Sequence, residues 1–132
     1  MSIKFAYTIV FVRDMQKSIT FYRDLIGLKV RMESPHWSEF ESGGCTLALH
    51  LAVAGDLEPV QAGQIPAGHC HTGFEVDDID KFGASMEKAG VPVMSPVSVQ
   101  DFGGRMGVWR DPDGVPVSVV QMPSHTRADS AR

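Results

Sequence analysis

The chain has no cluster of basic residues, no long apolar run and only two cysteines. Its 12 Lys+Arg are outnumbered by 16 Asp+Glu, which gives a formal net charge of −4. A nucleic-acid binder needs a basic stripe to neutralise phosphates, so we expect no nucleic-acid partner. No apolar stretch approaches the roughly 18 residues of a membrane span, so we expect no membrane partner either.

Cysteine usage and the N-terminal sequence bear on the cellular compartment. Cys45 and Cys70 do not suggest the disulfide scaffold of a small secreted domain. The first residues, MSIKFAY, lack the charged region and apolar core of a signal peptide. We therefore expect a cytoplasmic protein with reduced thiols.

What the sequence does contain is an internal repeat with an offset of about 64 residues. Segments 8–15 (TIVFVRDM) and 72–79 (TGFEVDDI) each join an apolar strand to an aspartate. An aspartate at this place is a typical helix N-cap, and a glycine is the typical residue just after a helix. Each predicted helix has both signals: Asp14 and Gly27 in the first, Asp78 and Gly90 in the second.

Segments rich in strand-forming residues follow each predicted helix, and turn residues separate them. We expect strands at 28–32, 37–41 and 45–51, and again at 91–94, 97–101, 105–110 and 115–121. This pattern predicts an α+β fold: two βαβββ modules with pseudo-twofold symmetry that form a curved sheet around a cavity. Residues 1–122 are predicted to form one domain, with modules at about 3–53 and 69–122, a connection at 54–68 and a mobile polar tail at 123–132.

Three fragments follow one another along the chain: DMQKSITFYRDLIGL at 14–28, HTGFEVDDID at 71–80 and DPDG at 111–114. Together they resemble the vicinal oxygen chelate superfamily, which includes glyoxalase I, extradiol dioxygenases and bleomycin resistance proteins. The resemblance spans about residues 5–121 and concerns the fold more than the reaction. It implies paired βαβββ modules, commonly in a homodimer, with any metal held on the inner face of the sheet.

The resemblance also implies where a metal would bind. The four ligand positions of the superfamily's metal enzymes correspond here to Tyr7, Ala48, His71 and Ser118. Only His71 is a good ligand, because alanine has no donor, a serine hydroxyl is a weak one and tyrosine is protonated at neutral pH. We therefore expect no cofactor. The alternative is a divalent metal in a rearranged site made of His50, His71 and Glu39.

Hairpin geometry predicts which side chains share the inner face of each module. If Gly43 and Gly44 form a two-residue loop, Trp37 lies beside His50 and Glu39 beside Ala48. A register change of one residue would send Glu39 to the other face.

The second hairpin is interpreted in the same way. A four-residue loop at 111–114 would place Gly107 beside Ser118, Arg105 beside Val120 and Trp109 beside Pro116. An inward-pointing Arg105 would be a donor for a carboxylate or phosphate, and the alternative for this residue is a salt bridge at the rim of the sheet.

These observations favour a metal-independent protein that binds a small aromatic or amphipathic molecule between its modules. The residues expected to contact the molecule are Tyr7, Phe11, Trp37, His50, His71, Arg105, Trp109 and Ser118. Two alternatives stay open. One is a metal-dependent lyase, isomerase or dioxygenase, and the other is a metal-free enzyme in which Tyr7 or His71 is the catalytic acid or base.

Overall fold

The structure, a computed structural model, describes residues 6–52 and 70–123. The chain divides into two compact units, Met1–Leu57 and Glu58–Arg132, here called module 1 and module 2. The predicted connection at 54–68 and the predicted tail beyond residue 123 lie outside the described residues.

Both modules have the predicted order of elements. Module 1 comprises β1 (Thr8–Val12), α1 (Met15–Thr20, continued as a π-helical turn over Phe21–Leu25), β2 (Lys29–Met32), β3 (Trp37–Ser42) and β4 (Cys45–Leu51). Module 2 comprises β5 (Thr72–Glu75), α2 (Ile79–Lys88), β6 (Val93–Val99), β7 (Arg105–Arg110) and β8 (Pro116–Gln121).

The two four-stranded sheets have the same topology. Their strand orders are β1-β4-β3-β2 and β5-β8-β7-β6, with one parallel pair, β1 with β4 and β5 with β8, in each. The remaining pairs are antiparallel. The prediction of an α+β fold with two βαβββ modules is therefore confirmed.

Both helices begin and end where the capping residues predict. The side chain of Asp14 accepts a hydrogen bond from the Lys17 amide at 3.0 Å. The side chain of Asp78 does the same for Lys81, also at 3.0 Å. Gly90, just after α2, has φ +72°, a conformation that costs glycine little.

Each helix covers one face of its own sheet. In module 1 the covered face carries Val10, Val12, Phe40, Leu47 and Leu49, all buried. In module 2 it carries Val117 and Val119, and the ring of Trp109 lies 5.1 Å from that of Phe82 on α2. The opposite face of each sheet carries no helix from the described part of its own module. Functional side chains are therefore sought on that face.

The second strand of module 2 differs from the prediction. A break was expected between 94 and 97, but β6 is one strand from Val93 to Val99. Its pairing with β7 shifts register between Ser95 and Ser98, around Pro96. Because β6 is an edge strand, a bulge there accommodates a proline that has no amide hydrogen to donate.

The first hairpin has the predicted register. Ser42 pairs with Cys45, and the two loop residues, Gly43 and Gly44, have φ +52° and +91°. Both values suit a two-residue hairpin turn with left-handed central residues. The predicted neighbours Trp37 and His50 are paired, as are Glu39 and Ala48.

The predicted register of the second hairpin is wrong by one residue. Arg105 pairs with Gln121 rather than Val120, and Trp109 pairs with Val117 rather than Pro116. The Asp111 amide donates to the Val115 carbonyl at 2.9 Å, which leaves a loop of residues 112–114.

Because the loop is one residue shorter than expected, each β7 side chain lies on the opposite face of the sheet from the one predicted relative to β8. Gly107 pairs with Val119, and the residue beside Ser118 is Val108. Arg105, Gly107 and Trp109 consequently lie on the side of the sheet that α2 covers.

Candidate functional site

The helix-free surface of the module 1 sheet, called face 1, brings together most of the predicted site residues of that module. Alternation along the strands places Tyr7, Ile9 and Phe11 on the same side. Phe11 pairs with His50 and Ile9 with Ala48 across β1 and β4. Face 1 carries Tyr7, Ile9, Phe11, Arg31, Trp37, Glu39, Glu41, Thr46, Ala48 and His50.

Four of these side chains form a connected group of rings. Tyr7 and Trp37 meet edge to face with centroids 5.7 Å apart, and Trp37 and His50 do so at 5.9 Å. The Phe11 ring lies 5.2 Å from His50. Tyr7 and Phe11 are 49% and 59% exposed, so the rings line an accessible surface of module 1. The sequence correctly predicts that these four residues share a face.

Glu39 is anchored beside this aromatic group by two neighbours. The Trp37 indole Nε1–H donates to Glu39 Oε2 at 2.7 Å. Arg31 donates to Glu39 Oε1 through Nε at 3.1 Å and Nη2 at 2.7 Å. Arg31 Nη2 also donates to Thr46 Oγ1 at 2.8 Å, which ties β2 to β4 across β3.

This network keeps Glu39 ionised. The hydrogen bond from Trp37 lowers the pKa of Glu39 most, and the hydrogen bond and charge of Arg31 lower it further. A carboxylate with a lowered pKa is a poor general base at neutral pH. Glu39 therefore acts in module 1 as a fixed acceptor that orients the Trp37 indole.

His50 is oriented by the backbone. Its Nδ1 lies 2.7 Å from the carbonyl oxygen of Leu51. Because a carbonyl only accepts hydrogen bonds, Nδ1 carries the hydrogen, and in the neutral ring Nε2 keeps its lone pair. The imidazole therefore offers face 1 a hydrogen-bond acceptor.

The helix-free surface of the module 2 sheet, called face 2, holds the other two inner-face candidates. His71 Nε2 lies 2.9 Å from Ser118 Oγ. Gly73 is paired with Ser118, and a Cβ at this glycine would lie 4.0 Å from the Ser118 Cβ, an ordinary van der Waals contact. Ile9 and Ala48 are paired in module 1 as Gly73 and Ser118 are in module 2, which supports the equivalence of Ala48 and Ser118 in the repeat.

Arg105 and Trp109 do not belong to face 2, which corrects their predicted placement. Arg105 Nη1 and Nη2 donate to the two carboxylate oxygens of Asp80 on α2, each at 2.8 Å. This is the salt bridge that was the alternative for Arg105. Trp109 is 3% exposed and packs against Phe82. The register of the second hairpin is the reason for both placements.

The donor atoms of the described residues do not fit a divalent metal. His71 and Ser118 supply one imidazole nitrogen and a neutral hydroxyl, and Ala48 supplies no donor. Both Glu39 oxygens already accept hydrogen bonds from Trp37 and Arg31. Across residues 6–52 and 70–123, no three His, Cys, Asp or Glu side chains are grouped to hold a metal. Because His50 and Glu39 belong to module 1 and His71 to module 2, the alternative set of these three residues stays a prediction.

Arg31 is a site residue that sequence reasoning missed. It lies on β2, whose pairing with β3 is irregular between Val30 and Met32, so simple alternation does not reveal its face. The available signal was an arginine on the strand next to Glu39. Using that signal requires the order of the strands in the sheet.

Module 1 also has a groove of about 500 Å³ near the start of α1. Its lining residues are Asp14, Met15, Gln16, Glu33, Ser34, Pro35 and Leu51. It contains none of the predicted contact residues.

Comparison with known proteins identifies the family. The sequence model of the Glyoxalase/Bleomycin resistance protein/Dioxygenase superfamily matches residues 4–119, nearly the whole chain. The chain belongs to this superfamily. The resemblance inferred from the sequence fragments is therefore confirmed. In the described part of this superfamily member, no helix is long and apolar enough to cross a membrane.

Solved structures show the same glyoxalase-type fold. A protein of unknown function from Agrobacterium tumefaciens str. C58 has 26% identity and a TM-score of 0.71, with 93% of this chain and 97% of that one covered. A glyoxalase/dioxygenase from Nostoc punctiforme has 20% identity and a TM-score of 0.78, with 92% of both chains covered. A lactoylglutathione lyase from Agrobacterium tumefaciens has 23% identity and a TM-score of 0.66, with 88% and 91% covered.

Proposed function

We propose that this superfamily member binds a small aromatic or amphipathic molecule on face 1, without help from a metal ion. The observation that carries the proposal is the exposed group of rings formed by Tyr7, Phe11, Trp37 and His50. A contiguous group of exposed apolar side chains on a protein surface often marks a site that binds a ligand or a partner.

The surface is suited to a flat or apolar ligand. Aromatic pairs contribute about 0.5–1.5 kcal/mol beyond the burial of their area. Trp37 offers such a contact at a low entropic cost, because its hydrogen bond to Glu39 already holds the indole in one orientation. A preorganised ring binds more tightly than one that must first be ordered.

The metal-independent part of the proposal is supported by the donor set. The superfamily's ligand positions correspond to Tyr7, Ala48, His71 and Ser118, of which only His71 is a strong ligand. The carboxylate nearest to Ala48 on face 1 is Glu39, which is engaged by Arg31.

A ligand screen tests the binding proposal. A panel of small aromatic and amphipathic compounds is scored by thermal shift, and hits are mapped by amide and indole NMR. We expect hits to perturb Trp37 and His50, and we expect Trp37→Leu to weaken them. Glu41→Gln is the matched control: Glu41 lies on the same strand and face but faces Lys29 and Thr46 instead of the rings, so binding should be unchanged. If no compound perturbs face 1, the proposal is wrong.

Elemental analysis tests the metal-independent part. The untagged protein is purified without chelator and measured before and after addition of zinc, nickel, manganese and ferrous iron. We expect less than one equivalent of each metal. A stoichiometric metal that disappears in His71→Ala would overturn this part and favour a metal-dependent lyase, isomerase or dioxygenase.

A second candidate function rests on the contact between His71 and Ser118 on face 2. A metal-free enzyme would use the His71 imidazole as a general acid or base, with Ser118 holding the ring in place. His71→Gln is the test variant, and Cys70→Ser, at the adjacent residue, is its control. Turnover that is lost in His71→Gln and kept in Cys70→Ser would support the enzyme hypothesis. A substrate that is bound and never converted would argue against it.

The expected homodimer and cytoplasmic location stay predictions. Sedimentation velocity of the full chain tests the first. A monomer at all accessible concentrations would contradict it.

A further inference from the structure

Two hydrogen-bond donors of the aromatic group on face 1 are already used within the protein, and the Tyr7 hydroxyl can donate or accept. Trp37 Nε1–H donates to Glu39, and His50 Nδ1–H to the Leu51 carbonyl. Acceptors are left over: the lone pair of His50 Nε2 and the remaining lone pairs of the Glu39 carboxylate. A ligand that brings hydrogen-bond donors or positive charge therefore finds acceptors beside Trp37 and His50.

The order of charges on face 1 points the same way. Glu39 lies between Trp37, which binds Oε2, and Arg31, which binds Oε1. Arg31 turns its Nε and Nη2 edge toward the carboxylate. From the aromatic side, the nearest charged atom is consequently a carboxylate oxygen, and the guanidinium lies behind it. Since Coulomb energy falls with distance, a cation beside Trp37 interacts more strongly with Glu39 than with Arg31.

The rings themselves favour a cation. Aromatic faces carry negative charge density, and tryptophan attracts cations more strongly than tyrosine or phenylalanine. Tyr7 and His50 each meet Trp37 at nearly a right angle, 89° and 90° between ring planes. Rings at right angles present faces in different directions, and sites lined by several aromatic faces are known to bind quaternary ammonium groups.

We infer that face 1 recognises an organic cation, a protonated or quaternary amine attached to an apolar or aromatic body. The inference rests on the proposed function, because it names the ligand class for the same surface. The positive head lies against Trp37 and Tyr7 near Glu39 Oε2, and the apolar body extends over Phe11.

An isosteric pair of probes isolates the charge. Choline and 3,3-dimethylbutan-1-ol have the same shape, and only choline is charged. Each is titrated into ¹⁵N-labelled full-length protein while the indole N–H resonances are followed. Trp37 is the reporter, and the buried Trp109 is an internal control. We expect choline to bind about fivefold or more tightly than the alcohol, in line with cation–π energies.

Paired variants locate the effect. Glu39→Gln should reduce the preference for choline, since it removes the charge next to Trp37. Glu41→Gln removes a carboxylate from the same strand, 4.0 Å from Lys29 Nζ, and should keep the preference. Trp37→Leu should abolish it. If Trp37→Leu does not fold, Tyr7→Leu replaces it, because Tyr7 is about half exposed.

The outcomes separate this inference from the proposed function. Equal binding of both probes, or a preference for the alcohol, overturns the cation inference and leaves a neutral-ligand function standing. If neither choline nor the alcohol binds but aromatic compounds from the screen still perturb Trp37, the cation inference is likewise overturned and the neutral-ligand function stands. Failure of both probes and of the whole screen overturns both proposals.

Discussion

Trp37 and Glu39 lie two residues apart on β3, and the indole N–H of the first donates to a carboxylate oxygen of the second at 2.7 Å. Residues at this spacing share a face of the sheet. The bond turns the polar edge of the indole toward Glu39, and the ring is the surface on which we propose that a ligand binds. It also occupies the carboxylate that a rearranged metal site would need.

We predict that the bond from Trp37 to Glu39 survives at pH values below the usual pKa range of a glutamate. The hydrogen bonds from Trp37 and Arg31 lower the pKa of Glu39. When the pKa of a carboxyl group is lower in the folded than in the unfolded state, its ionised form stabilises the fold at pH values above the unfolded-state pKa. This stabilisation is lost as the pH falls through the folded-state pKa.

An NMR titration that follows the Trp37 indole resonance against pH has its midpoint at the pKa of Glu39 in the folded protein. Glu39→Gln, which does not titrate, serves as the control and should show no transition. A midpoint at or above the usual glutamate range would contradict the prediction.

Two glycines that contact Trp109 should respond to alanine in opposite directions. A Cβ on Gly107 would lie 2.9 Å from the Trp109 ring and 3.0 Å from Val97, so Gly107→Ala should cost about 1–3 kcal/mol through overpacking. A Cβ on Gly83 would lie 3.6 Å from the same ring, an ordinary contact.

Gly83 lies inside α2, where alanine is favoured over glycine, so Gly83→Ala should stabilise the fold by about 1 kcal/mol. Urea unfolding of both variants makes the comparison. Equal effects of the two substitutions would mean that β7 does not have the register described here.

Arg105→Lys should leave ligand binding on face 1 unchanged. Arg105 makes its two-pronged ion pair with Asp80 on the helix side of the module 2 sheet. Lysine cannot reproduce that geometry, so we expect a small decrease in melting temperature. Calorimetry and the ligand titration measure the two effects separately. A loss of affinity without a loss of stability would restore Arg105 as a ligand contact.

Asp111→Ala should destabilise the second hairpin. The Asp111 side chain is buried, and its Oδ1 accepts from the amides of Asp113 and Val115, both at 2.9 Å. Removing an acceptor from two turn amides should cost about 1–3 kcal/mol. Asp111→Asn keeps an acceptor oxygen and should cost less. Urea unfolding compares them, and equal losses would indicate that the charge matters more than the turn bonds.

The two hairpins show how far local sequence determines strand register. Gly43 and Gly44 both adopt positive φ, so a two-residue turn follows and the register of β3 and β4 could be predicted. The sequence DPDG fits loops of three or four residues. The choice depends on where the side chain of Asp111 finds amide donors, and this is decided by the folded loop.

The sequence by itself determined the features that depend on neighbouring residues: the helix caps at Asp14 and Asp78, the alternation that groups Tyr7 with Phe11, and the repeat of two modules. The tertiary structure alone decided the contacts between strands or between a strand and a helix. Arg31 reaches Glu39 because β2 lies beside β3, and Arg105 reaches Asp80 because one residue of register turns β7 toward α2. Such contacts join residues far apart in sequence, and a single residue in a loop is enough to exchange the two faces of a strand.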